Sequence, residues 1–183
     1  MSQLRMEKTG IESLPDIPLD EEYRIRTFKP GDEAALGRVY ATAMLGTGSV
    51  EEVRSRLHGH PCFDPARVFV AVSGELVVGT ASAWRSIREP DVGYLHMLGV
   101  LPEHRGNNLG AVLTVATLRY AQQEGFTAQR LLTDDWRLPA IQLYLALGYD
   151  PIITDCTHPR RWRKIAKALR RPDLIQRARK VVL

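Results

Sequence analysis

The stretch from Val92 to Gln123 limits most strongly what this chain can become. Val92-Gly93-Tyr94-Leu95-His96-Met97-Leu98-Gly99-Val100 is a mostly apolar run of strand length. Pro102 breaks it, and a turn rich in Gly and Asn follows through Arg105-Gly106-Asn107-Asn108. Leu109 then opens a long helix to Gln123, with Val112, Leu113, Val115, Ala116, Leu118 and Tyr120 along it, and Gly125 closes it. Such a junction leaves successive backbone N–H groups unpaired at a helix start, where the macrodipole also favours negative charge. It therefore suits a phosphate or pyrophosphate. Gly106 and Gly110 let the backbone approach an anion without a Cβ in the way, and Arg105 adds a fixed positive charge. No Gly-Lys-Ser/Thr follows the glycines, which excludes a P-loop hydrolase.

Around this junction the chain alternates between strand and helix patterns. Tyr23 to Phe28 reads as a first strand, Asp32 as a helix cap, and Ala34 to Leu45 as a helix. Ser49 caps a second helix through Leu57, with Glu52 completing a capping box. Arg67 to Ser73 and Leu76 to Trp84 form a hairpin about Gly74-Glu75. After the long helix come a short buried strand (Arg130 to Thr133), a helix (Pro139 to Leu147) closed by Gly148, and a strand (Tyr149 to Thr154). The order βααβββαβαβ predicts an α+β layer structure with one strand–helix–strand crossover. Residues 1–22 are polar and read as an N-terminal extension, 23–157 as the domain, and 158–183 as a basic helical tail.

Composition supports one folded unit. Among 183 residues, 44% are apolar and 25% charged, ordinary values for a globular domain. The first 22 residues hold no apolar run of the kind a secretory signal needs, so a cytoplasmic setting is expected. Cys62 and Cys156 have neither metal-site spacing nor a partner framework, and no metal is expected. Charge is unevenly placed. From Pro159 to Lys180 ten Lys/Arg stand against one acid, Asp173, so the remainder of a chain of net charge +4 is acidic. Trp162, Ile165, Ala166 and Leu169 follow helical spacing there, which predicts a docked helix with a solvated basic face. A nucleic-acid contact through that face stays open, as does a homodimer.

Two motifs at a fixed separation resemble those of the GCN5-related N-acetyltransferase (GNAT) family. Arg105-Gly106-Asn107-Asn108-Leu109-Gly110 is similar to the family's Arg/Gln-x-x-Gly-x-Gly/Ala turn, with Asn108 in place of the central Gly. Ala140-Ile141-Gln142-Leu143-Tyr144-Leu145-Ala146-Leu147-Gly148-Tyr149 is similar to its second signature. The resemblance spans Tyr23 to Asp155. It implies a three-layer α/β/α fold with a mixed, mostly antiparallel sheet and a βαβ cofactor crossover. It also implies acetyl-CoA as co-substrate, held by Leu98, Gly99 and Val100 along the pantetheine arm and by Arg105, Gly106, Asn107, Asn108, Leu109, Gly110 and Ala111 at the pyrophosphate. Arg137 stands where many members carry an Asn near the pantetheine, and is a further cofactor contact. Asn tolerates the left-handed backbone that the turn requires at position 108.

The resemblance further implies direct attack of an amine on the thioester in a ternary complex. Tyr144 stands at the position that returns a proton to the leaving thiolate. His96 is the candidate base, on one strand face with Tyr94 and Leu98. The acceptor, a small amine or a peptide, would meet the first two helices, the turn at 86–90 and the region 148–154. A second reading is a non-catalytic acyl-CoA-binding or nucleic-acid-associated module that uses the tail. Tyr144 discriminates, since a binding module needs no proton donor there.

Overall fold

Among the described residues eight strands form one sheet, and each face of it carries its own apolar cluster. The computed structural model describes residues 2–85 and 89–180. Along the chain these are β1 (Leu4–Thr9), β2 (Tyr23–Thr27), α1 (Glu33–Thr42), α2 (Val50–His58), β3 (Val68–Ser73), β4 (Leu76–Arg85) and β5 (Val92–Val100). There follow α3 (Leu109–Gln123), β6 (Ala128–Thr133), α4 (Leu138–Ala146), β7 (Asp150–Ile153), α5 (His158–Ala168), α6 (Leu174–Arg177) and β8 (Arg179–Lys180). The spatial order is β2-β3-β4-β5-β6-β1-β7-β8. All neighbours are antiparallel except β5 with β6 and β7 with β8. Both parallel pairs are joined through helices, β5–β6 by α3 and β7–β8 by α5 and α6, as a parallel connection requires.

Leu113 and Leu118 of α3, Ile141 and Leu145 of α4, and Trp162 and Ile165 of α5 pack with Leu4, Met6, Leu95 and Leu131 of the sheet. Leu36 and Tyr40 of α1 and Val53 and Leu57 of α2 pack with Val68, Val70 and Trp84. Helices thus cover both faces, giving the three layers. Ser49 caps α2 by accepting the Glu52 N–H at 3.0 Å. Among the described residues no helix is long and apolar enough to cross a membrane.

Three expectations need correction. Residues 1–22 do not begin as an extension, because β1 lies inside the sheet, pairing with β6 on one side and β7 on the other. The strand forms because Leu4 and Met6 are both fully buried in the larger cluster. Asp32 makes no cap hydrogen bond. Its carboxylate instead accepts the Arg26 guanidinium at 2.7 and 2.8 Å and the Lys29 N–H at 2.8 Å, tying β2 to the start of α1. The segment after residue 157 is no separate tail. Trp162 is 1% exposed, the Arg161 guanidinium pairs with Asp135, and β8 extends the sheet.

Since β1 is interior, Met6→Ala should destabilise the protein by about 2–4 kcal/mol, the usual cost of emptying a buried long side chain. The urea midpoint measures it. A change below about 0.5 kcal/mol, the size of a surface substitution, would mean that the strand is peripheral.

Candidate active site

The ladder between β5 and β6 stops partway. Val92 to Leu95 pair with Ala128 to Leu131, yet β5 continues to Val100 and β6 to Thr133 without further pairing between them. A bulge in β5 marks the parting. Thr80 pairs with Gly99 and Ser82 with His96, so Met97 and Leu98 together oppose the single residue Ala81. Met97 takes a left-handed φ of 54° there, as a β-bulge permits, while its side chain stays buried. The diverging strands leave a cleft.

On one side of the cleft lies a cavity of about 500 Å³. Its walls include Leu98, Gly99 and Val100 of β5, then Arg105, Gly106, Asn108, Leu109, Gly110 and Ala111, and across from them Arg137. Of the residues expected to hold a cofactor, only Asn107 is not part of this wall. Its amide turns away, donating to the Tyr23 hydroxyl at 3.0 Å. Asn108 sits at φ 58° and ψ 4°, the left-handed conformation for which Asn substitutes for Gly. The first backbone bond into α3 is from the Val112 N–H to the Asn108 carbonyl. Among the described residues, the N–H groups of 106 to 111 have no protein acceptor. Six consecutive free donors beside Arg105 make an anion-binding nest. A pyrophosphate-bearing ligand fits them.

On the other side a larger cavity of about 700 Å³ holds His96 and Tyr144. The two expected catalytic side chains therefore face one space, brought there by β5 and α4. The His96 side chain stands exposed on the cavity wall, and the protein around it, with the nearby His60 and Arg56, pushes its pKa below the ordinary 6.5, to about 4, so the imidazole is neutral at pH 7. Burial raises the Tyr144 hydroxyl above its ordinary value of 10 despite the Arg137 charge, so it keeps its proton. Its ring packs edge-on against Tyr149 at 5.8 Å.

Met44, Leu98, Arg137 and Ala140 line both cavities and mark the passage between them. Arg137 lines the cofactor side as expected, but its guanidinium is engaged elsewhere. It donates to the carbonyls of Ala43 at 2.9 Å and Met44 at 2.7 Å, and stands over the Trp136 ring at 4.1 Å. It thus straps the end of α1 to the start of α4. The sequence reading missed His60, which shares the larger cavity, and Trp136, which walls the smaller one. Both depend on neighbours distant in sequence, and only the exposed aromatic beside Arg137 was open to suspicion. Of the acceptor region anticipated at 86–90, residues 86–88 lie outside the described residues.

A bulge-split strand pair with a donor-rich turn on one side and an open cavity on the other is an arrangement suited to an extended, phosphate-bearing ligand. The Acetyltransferase (GNAT) family model matches residues 34–149, and the chain belongs to that family. It is 33% identical over 148 residues to a mycothiol acetyltransferase of Thermomonospora curvata, covering 78% of this chain and 49% of that protein. A Streptomyces coelicolor mycothiol acetyltransferase is also 33% identical, with 85% and 51% covered. The chain thus spans about half the length of these relatives. Among solved structures, a GCN5-related N-acetyltransferase from Sphaerobacter thermophilus superposes with a TM-score of 0.65 at 21% identity, over 82% of this chain and 49% of that one. A Salmonella typhimurium protein determined with its cofactor acetyl-CoA gives 0.55 at 25% identity, over 70% and 79%.

His96 yields a test of the cavity's polarity. An unfolded imidazole protonates near 6.5, whereas folded His96 does so only near 4. Between these values the unfolded chain binds more protons, so stability should fall as pH drops from about 6.5 to 4. His60, also lowered by burial, acts in the same direction. The urea midpoint compared at pH 7.5 and pH 5 should drop less in His96→Gln than in the wild type. An equal drop would show that His96 is not desolvated.

Proposed function

We propose that this protein is an acetyl-CoA-dependent N-acetyltransferase acting on an amine. The observation that carries the reading is the shared passage. A cavity whose wall carries five of the free N–H donors, those of Gly106 and of residues 108–111, meets, at Leu98, Arg137 and Ala140, a second cavity that holds a neutral imidazole and a protonated phenol. Acetyl-CoA, when bound, supplies an acetyl group activated as a thioester. The N–H groups of 106–111 and Arg105 would take its pyrophosphate. The unpaired edge of β5 at Leu98 and Val100 would pair with its pantetheine arm. These contacts would bring the reacting carbon to the passage, and positioning of that kind can supply much of a rate enhancement.

His96 would accept the proton that an ammonium must lose before its nitrogen can attack. Tyr144 would donate to the sulfur as the carbon–sulfur bond breaks, a role its raised pKa supports, since the hydroxyl keeps a proton to give. Acetyl transfer fits the relatives' names, which describe acetyltransferases.

Calorimetric titration with acetyl-CoA tests the reading. The wild type should bind in the micromolar range, and Gly110→Asp, which sets a carboxylate among the free donors, should bind roughly tenfold or more weakly. Tyr144→Phe should bind acetyl-CoA as the wild type does and lose about a hundredfold in kcat by thiol release. A folded wild type that binds no acetyl-CoA overturns the reading. Full turnover in Tyr144→Phe removes the phenol from the mechanism.

A further inference from the structure

We propose that His60 orients the acceptor: its imidazole is held neutral with the proton on Nε2, and it donates to an oxygen borne by the amine substrate. The inference rests on the acetyl-transfer reading above and names the class of amine that the larger cavity takes.

The ring is fixed in three ways. Its backbone closes the end of α2, with the His60 N–H donating to the Leu57 carbonyl at 3.1 Å and the Phe63 N–H to the His60 carbonyl at 2.9 Å. Its plane lies flat on Trp84, centroid to centroid at 4.7 Å and 2° from parallel, and Trp84 is itself 4% exposed. Its Nδ1 accepts the backbone N–H of Cys62 at 3.1 Å. A backbone N–H can only donate, so Nδ1 must present a lone pair. In a neutral ring the proton is then on Nε2. Protonating Nδ1 as well would set two N–H groups head to head, and burial opposes the charge in any case.

A histidine so arranged cannot serve as a base, because its one lone pair is already used. What it offers is a single N–H. Among the described residues no acceptor faces that group, while the ring is part of the wall that also holds His96 and Tyr144. The two imidazoles therefore divide the work. No hydrogen bond ties up His96 among the described residues, so it retains a lone pair for a proton, and His60 retains a proton for a hydrogen bond. Unmet donors in a desolvated cavity discriminate against partners that cannot accept. The acceptor so selected is an amine carrying a hydroxyl or carbonyl oxygen near its nitrogen, rather than a plain alkylamine or a polyamine.

Two measurements on the full chain test this. Long-range proton–nitrogen correlation spectra of the histidine-labelled protein should show His60 as the neutral Nε2–H form between pH 6 and 8. A neutral Nδ1–H form, or a charged ring, overturns the proposal. In thiol-release assays an amino alcohol should exceed the alkylamine of equal length by about tenfold in kcat/KM, the value of one hydrogen bond. His60→Phe, which keeps the stack, should erase that preference through KM rather than kcat. His60→Gln, which returns an N–H near the same place, should restore part of it. A preference that survives in a folded His60→Phe protein sinks the proposal, as does a loss confined to kcat with a shifted pH profile. Failure of the wild type to bind acetyl-CoA would instead sink the parent reading and this one with it. Transfer to amines with no preference for oxygen would sink this one alone.

Discussion

Buried backbone groups must be paired, and that requirement decides how the cleft between β5 and β6 can exist. Past Leu95 and Leu131 the two strands cease to serve each other. Each can part only because it has another neighbour. β5 keeps its ladder to β4 beyond the bulge, through Thr80 with Gly99 and Gly79 with Val100. β6 keeps its ladder to β1, through Leu4 with Thr133. An edge strand in place of β6 would have no such support. The N-terminal strand, remote from any chemistry, is thus what allows the sheet to open without stranding polar groups.

The opening also needs walls. At Gly99 an added Cβ would come within 3.0 Å of both Ala43 and Val39, so α1 lies almost directly on the β5 backbone. That approach brings the end of α1 to the rim of the cleft. Met44 then takes a left-handed turn at φ 53°, and its carbonyl and that of Ala43 point to Arg137. Charge-assisted bonds to otherwise orphaned helix-end carbonyls are among the stronger polar contacts available. The fork of Arg137 consequently spans the two sides of the passage. A lysine could not make both bonds with the same rigidity.

Much of this was legible in the residues, and the omissions have a physical pattern. The strand, turn and helix around Arg105–Gly110 depend on local signals: a Pro, glycines, and an Asn suited to positive φ. They were readable for that reason, and so was the placing of His96 and Tyr144 on elements that converge. β1 was not readable, because Leu-Arg-Met-Glu-Lys-Thr is short and mostly polar and each of its partners in β6 lies 119 or more residues away. His60 was not readable either. Its meaning comes from Trp84 and from the cavity, neither of which its sequence neighbours disclose. The Asn107 side chain lies outside the cavity wall because its amide donates to the Tyr23 hydroxyl of β2, a partner far away in sequence.

The two cavities differ in electrostatic character, and the difference suits acetyl transfer. The smaller one gathers donors and a guanidinium, which favour a multiply charged phosphate ligand. The larger one is lined by two imidazoles whose pKa values the surrounding protein lowers. The same desolvation acts on whatever enters. An ammonium moved there loses hydration and gains no described carboxylate free of an ion pair, since Asp134 is paired with Arg137. Its proton is therefore more easily lost than in water. In the proposed reaction a weak base would then suffice, because the loss of hydration would shift the amine toward the neutral form that can attack. A lowered pKa at His96 and a more reactive amine would then follow from one environment.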